Sequence, residues 1–133
     1  MAEIEIFNPP SLGTPLGQYS QIARVRASEY LFIAGQVGAT WDGEILDGFD
    51  AQCAQTFNNL HEALAACGAG WDNVVQFRTY LVHSQDIPHF MAYRLREFPR
   101  MFKNGAYPPN TLLMVDRLVK EPLLVEVEAV AAL

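Results

Sequence analysis

The closing stretch Tyr107–Leu133, YPPNTLLMVDRLVKEPLLVEVEAVAAL, decides how the chain is read. Its Pro108-Pro109 pair fixes φ and removes two amide donors, so Asn110 enters a strand at a defined position. Thr111 to Val115 is then an apolar run, Asp116 to Pro122 supplies charge and turn signals, and Leu123 to Ala131 is a second run rich in Val and Leu. These are two strands. In the second, period-two geometry sets Val125, Val127 and Ala129 on one face and Glu126 and Glu128 on the other, about 6.6 Å apart. One side of that strand carries two carboxylates.

Upstream, Ile87 to Lys103 has Phe90, Leu95, Phe98, Met101 and Phe102 at helical spacing, with Pro88 suited to the first turn. Pro99 is expected to end or kink this helix. Val74 to Val82 alternates Val75, Phe77, Thr79 and Leu81 against Gln76, Arg78 and Tyr80, a strand with one apolar and one half-polar face. A polar, aromatic second face suits water or another subunit. Phe49 to Cys67 steps Cys53, Phe57, Leu60, Leu64 and Cys67 by three and four residues, which predicts an amphipathic helix stopped by Gly68 and Gly70. His61 is expected at the margin of its buried stripe.

Nearer the N-terminus, Ala2 to Phe7 alternates Ile4 and Ile6 against Glu3 and Glu5, a short strand closed by Asn8-Pro9-Pro10. Ser11 to Ser20 is a Gly/Pro/Ser loop. Ile22 to Ala27 and Tyr30 to Ala34, separated by Ser28-Glu29, read as a hairpin leading into Gly35. The element order is therefore βββαβαββ. It predicts an α+β fold, with a mixed six-stranded sheet and both helices on one face, in a single domain spanning residues 1–133.

Composition narrows the function. With 133 residues, half of them apolar, the chain can bury one core. Nine basic and 15 acidic residues leave a charge of -6 with no compensating Lys/Arg cluster, which argues against a nucleic-acid partner. No apolar run approaches the ~20 residues of a membrane span, so no membrane partner and a cytoplasmic setting are expected. Cys53 and Cys67 lie about 21 Å apart along one helix, too far to bridge, and are expected to be reduced core residues. His83, Asp86 and His89 match no standard metal-ligand spacing. Nucleotide-loop spacings are also missing, so neither metal nor cofactor is expected.

The Pro-Pro-x-Thr entry and the closing VEVEAVA, together with NPP…GQYSQ and FIAGQVG, resemble the Rid/YjgF family of reactive-intermediate deaminases over nearly the whole chain. The resemblance implies a chorismate mutase-like fold, a homotrimer with small-molecule ligands in clefts between subunits, and cofactor-independent hydrolysis of enamines or imines to ketone and ammonia. It implies that Glu126 is the catalytic carboxylate. Tyr19, Gly35, Asn110 and Thr111 fall where the family lines its ligand pocket. Asn110 departs from the pattern: deaminating members keep an arginine there that grips the substrate carboxylate. From the residues alone, Glu126 also fits a strand-face carboxylate paired with Arg78 or Arg24, and Gly35 a strand-terminating glycine.

Three readings follow. In one, the protein is a deaminase-like hydrolase whose substrate is neutral or carries its carboxylate elsewhere. In another, Arg94, Arg96 or Arg100 on the second helix supplies the missing cation. In the last, the protein is a non-catalytic trimer that binds a metabolite or a protein. An amide keeps hydrogen-bond donors but loses the charge and the planar fork, so ordinary 2-imino acids are expected to suffer on the order of a hundredfold in affinity at an unaided Asn110.

Overall fold

Both helices and all six strands form in the expected order in the computed structural model, which describes residues 1–133. They are β1 Glu3–Phe7, β2 Ile22–Arg26, β3 Tyr30–Val37, α1 Phe49–Ala66, β4 Val74–Leu81, α2 Ile87–Met101, β5 Asn110–Met114 and β6 Val125–Ala132. Single 3-10 turns precede β4 and α2. Hydrogen bonding divides the strands into a four-stranded sheet of order β3-β6-β4-β5 and a separate β1-β2 ribbon, rather than one six-stranded sheet. The β4/β5 pair is parallel and the others are antiparallel, so the sheet is mixed.

The expected hairpin between the second and third strands does not form; β2 pairs with β1 and β3 with β6. Tight two-residue turns need positive φ, and Ser28-Glu29 supplies none, since every positive-φ residue of the chain is a glycine. The amides of Ser28 and Glu29 donate instead to the Leu133 carbonyl, and the Leu133 amide donates back to Glu29. Leu133 thus closes this corner.

The core lies between the helices and one sheet face. Phe49, Cys53, Phe57, Leu60 and Leu64 of α1 meet Phe77, Leu81, Val125, Val127 and Ala129 of the sheet, with Phe90, Tyr93 and Phe98 of α2 completing the layer. Phe57 is its hub, stacked on Tyr93 at 5.1 Å and edge-on to Phe77 at 5.8 Å. Burying a side chain of that size contributes about 1.5–3 kcal/mol. The fully buried Gln52 joins three segments: its Nε2 donates to the Leu46 and Pro122 carbonyls, and its Oε1 accepts from the Leu124 amide.

Three local expectations change. Helix α2 runs through Pro99 to Met101: the missing Pro99 amide frees only the carbonyl of Leu95, a residue on the exposed side of the helix, and the ladder resumes with the Phe102 amide donating to Phe98. Cys67 is exposed at the α1 C-cap, beyond the reach of the buried stripe, whereas Cys53 is buried; both are free. On α2 it is Leu95 that is 66% exposed, while Arg94 beside it is only 3% exposed. His61 is exposed and lies 5.9 Å from the Trp71 ring. No helix is long and apolar enough to cross a membrane.

Candidate functional site

Strand parity and register decide which candidate residues meet. On β4, Phe77, Thr79 and Leu81 are buried under the helices, so Gln76, Arg78 and Tyr80 point to the uncovered face. The β6 strand alternates the same way: Val125, Val127 and Ala129 are buried, and Glu126, Glu128 and Val130 face outward. Glu126 stands opposite Tyr80 and Val37 in the register, and Glu128 opposite Arg78. Thr111 is exposed on the same uncovered face, paired with Arg78 across the parallel β4/β5 ladder.

On this face Glu126 is half-buried and packs its carboxyl group against Gly35, where the register of β3 shifts. A Cβ at position 35 would overlap that carboxyl group, so glycine leaves room for it there. Burial first, and then the charge of Glu128, hold the Glu126 carboxyl above its ordinary pKa. The Tyr80 hydroxyl donates to Glu128 Oε1, and this bond holds the Tyr80 phenol above its usual range. Glu128, Arg78, Gln76 and Phe32 line a hollow of about 180 Å³. Glu126 forms no ion pair, and Arg24 binds Glu5 at 3.3 Å on the ribbon, so neither expected arginine pairs with Glu126.

Asn110 opens β5 as the proline pair predicts, but its side chain turns the other way. Its Oδ1 accepts a 2.8 Å bond from the fully buried Thr79 hydroxyl, on the helix side of the sheet. Asn110 pairs with Phe77, which pairs in turn with Ala129, so Asn110 lies three rows from Glu126 and two strands across, a backbone offset of about 10 Å in each direction. Within one chain, then, Asn110 and Glu126 occupy opposite faces and share no hollow.

Tyr19 belongs with Asn110 rather than with Glu126. Ser20, the next residue, bridges its backbone to Pro109. The Tyr19 ring lies 5.8 Å from the Arg94 guanidinium, and its hydroxyl accepts from the Leu16 amide at 3.3 Å. Arg94 falls on the helical stripe with Phe90, Tyr93 and Phe98, a spacing visible in the sequence that charge alone conceals. The candidate residues therefore form two groups: Glu126, Gly35 and Thr111 on the uncovered face, and Tyr19, Asn110 and Arg94 on the helix side. No three His, Cys, Asp or Glu side chains converge at metal-ligand range.

Two helices backing one side of a mixed sheet, with paired glutamates on the bare side, define an α+β protein of the Rid type. The profile of the Endoribonuclease L-PSP family matches residues 11–133, and the chain belongs to this family, the Rid/YjgF proteins. A RutC family protein of Aquifex aeolicus is 31% identical over 124 residues, covering 92% of this chain and 94% of its own. The solved structure of YyfB, a Rid-family protein of unknown function from Yersinia pestis, matches with a TM-score of 0.86 at 30% identity over 98% of each chain. A Dermatophagoides farinae protein named 2-iminobutanoate/2-iminopropanoate deaminase is 25% identical over 135 residues, spanning 100% of this chain and 99% of that one.

Proposed function

We propose that the protein hydrolyses a small enamine or imine to a ketone and ammonia, in a site completed between copies of a cytoplasmic homotrimer. The observation that carries this reading is Glu126: a half-buried carboxyl group with a raised pKa, seated on a glycine at a strand irregularity and free of any ion pair. A carboxyl group held partly out of water favours its protonated form more than a free one does, and can take a proton from water and return it. An enamine first takes a proton at carbon to become the imine; the water oxygen then bonds to the C=N carbon while one water proton passes through Glu126 to nitrogen, and the remaining hydroxyl proton passes to the amine as the C–N bond breaks, releasing ammonia and leaving C=O. Similarity to a protein named as an imine deaminase supports this chemistry.

Assembly is supported by the uncovered sheet face, where Phe32 is 81% exposed and Tyr30 and Leu113 are also exposed. Two unbridged cysteines agree with a reducing compartment.

Ammonia release from imines generated in situ tests the reading. Turnover that falls by about a hundredfold or more in Glu126→Gln is the expected result. No turnover of either carboxylated or neutral imines by the wild-type protein would leave the alternative, a binding trimer without catalysis. The Asn110 side chain, tied to Thr79 beneath the helices, is the feature that favours that alternative.

A further inference from the structure

A hollow of about 700 Å³ lies along the outer edge of β3, between that edge strand and α1, and Gly35 is the only catalytic or pocket candidate that borders it. The sequence prepares one wall. Gln55, Asn58, Asn59 and Glu62 recur at three- and four-residue steps, so they form a polar stripe on one side of α1, about 10 Å long. Trp41 borders the same hollow and is fully exposed. Its turn is nonetheless fixed, with the Gly43 amide donating to the Thr40 carbonyl and the Glu44 amide to the Thr40 hydroxyl. Asn59 ties this segment to α1, donating to the Val37 and Ala39 carbonyls at 3.0 and 2.9 Å. A large indole is thus held out in water on an ordered support.

The polar groups still unpaired around the hollow are mostly acceptors. Asn59 has spent both N–H groups and accepts from Gln55 Nε2 at 2.8 Å, while Gln36 Nε2 donates to the Ala34 carbonyl at 3.0 Å. The amide oxygens of Gln36 and Gln55, the whole Asn58 amide and the Glu62 carboxylate are left for a ligand. Glu62 makes no ion pair, and no Lys or Arg borders the hollow. Asp42, next to Trp41 in the turn, accepts from the Thr40 hydroxyl, which holds its carboxyl below the usual range. In a chain of charge -6, such a wall repels anions and offers a donor-rich cation an aromatic face, neutral acceptors and negative charge. An extended peptide fits less well. The Ala34, Val37 and Ala39 carbonyls along this edge, which an added strand would need, already accept side-chain amides.

We propose that this hollow binds a small organic cation, an amine or guanidine of the polyamine type, with its charged chain against Trp41 and its N–H groups on Gln36, Gln55 and Glu62. Calorimetric titration with spermidine is the probe, and triethylene glycol is its uncharged counterpart. Spermidine is expected to bind the wild-type protein, less tightly as salt rises, and triethylene glycol is not. Trp41→Ala should weaken spermidine by about fivefold or more, through loss of the cation–π contact and the apolar cover, whereas Trp41→Phe keeps most of the affinity. Glu62→Gln should cost about threefold, as an exposed charge pair does.

Two further readouts separate a ligand site from a diffuse charge effect. Spermidine should shift the Trp41 indole N–H resonance and leave that of Trp71 in place. Trp41→Ala should melt with the wild type, because the side chain it removes touches no core. No spermidine binding by the wild type, binding by Trp41→Ala within twofold of wild type, or equal affinity for triethylene glycol overturns the inference. A tri-lysine peptide bound tenfold more tightly than spermidine would overturn the assignment to a small ligand. A changed mass of Trp41→Ala in light scattering would make Trp41 a contact between copies and overturn it as well.

Discussion

Glu126 lays its carboxyl group over the bare Cα of Gly35, so closely that a methyl group at position 35 would come within 2.7 Å of Glu126 Cδ. The groups that must yield belong to the far end of a flexible side chain rather than to backbone. Gly35→Ala should therefore fold with a melting temperature close to wild type while turning the carboxyl group away from its present place. Ammonia release should fall by about a hundredfold, as displacements near 1 Å in a reacting group commonly cost. Unaltered turnover in a correctly folded Gly35→Ala protein would separate Glu126 from the chemistry.

The raised pKa of Glu126 gives a signed dependence of stability on pH. Its folded-state value lies above the ordinary 4.5, so the folded protein binds the proton more tightly than the unfolded chain. The stability this contributes is complete below pH 4.5 and is lost as pH rises through the folded-state value. Glu126→Gln should abolish that loss. Urea denaturation of both proteins between pH 4 and 8 should show the wild type weakening relative to the variant as pH rises, and parallel curves would contradict the burial argument.

Gln52 bonds three backbone groups from two separate loops. Replacing it with alanine leaves those groups without partners and opens a space in the core, so Gln52→Ala should lose roughly 2–4 kcal/mol. The midpoint of chemical denaturation measures this. A loss below about 1 kcal/mol would mean that water satisfies the loops.

Thr79 and Asn110 form a bonded pair beneath the helices. Asn110→Ala should destabilise the protein by about 1–3 kcal/mol, because the buried Thr79 hydroxyl loses its acceptor. Adding Thr79→Val should recover part of that loss, and a double-mutant cycle reads the coupling directly.

On the uncovered face, Phe32→Asp puts a charge where a subunit contact is proposed. Light scattering after gel filtration should report a trimer for the wild type and a smaller mass for the variant. Equal masses would move the contact elsewhere.

Much of the fold was legible because it is local. The alternation names the buried and open faces of β4 from Gln76 onward and of β6, whereas an irregularity at the start of β4 sets Val74 rather than Val75 in the core; the three- and four-residue steps of Phe49, Cys53, Phe57, Leu60 and Leu64 mark the buried side of α1. The proline pair starts β5 at Asn110, as a fixed φ and missing donors require. Positions 90, 93, 94 and 98 share one side of α2, yet hydrophobicity favours Leu95 over Arg94, and packing against Tyr19 and Phe90 reverses that order.

Sequence by itself thus determined which residues lie on the same side of each element, because a strand repeats every two residues and a helix every 3.6 whatever surrounds it. Tertiary structure alone decided the partners: β2 joined β1, β3 joined β6, and register turned Asn110 toward the helices and Glu126 away from them. Pairing between strands is set by contacts distant in the chain, and a shift of a single residue exchanges the two faces. Local periodicity therefore identified the chemical groups, and long-range register divided them between the two sides of the sheet.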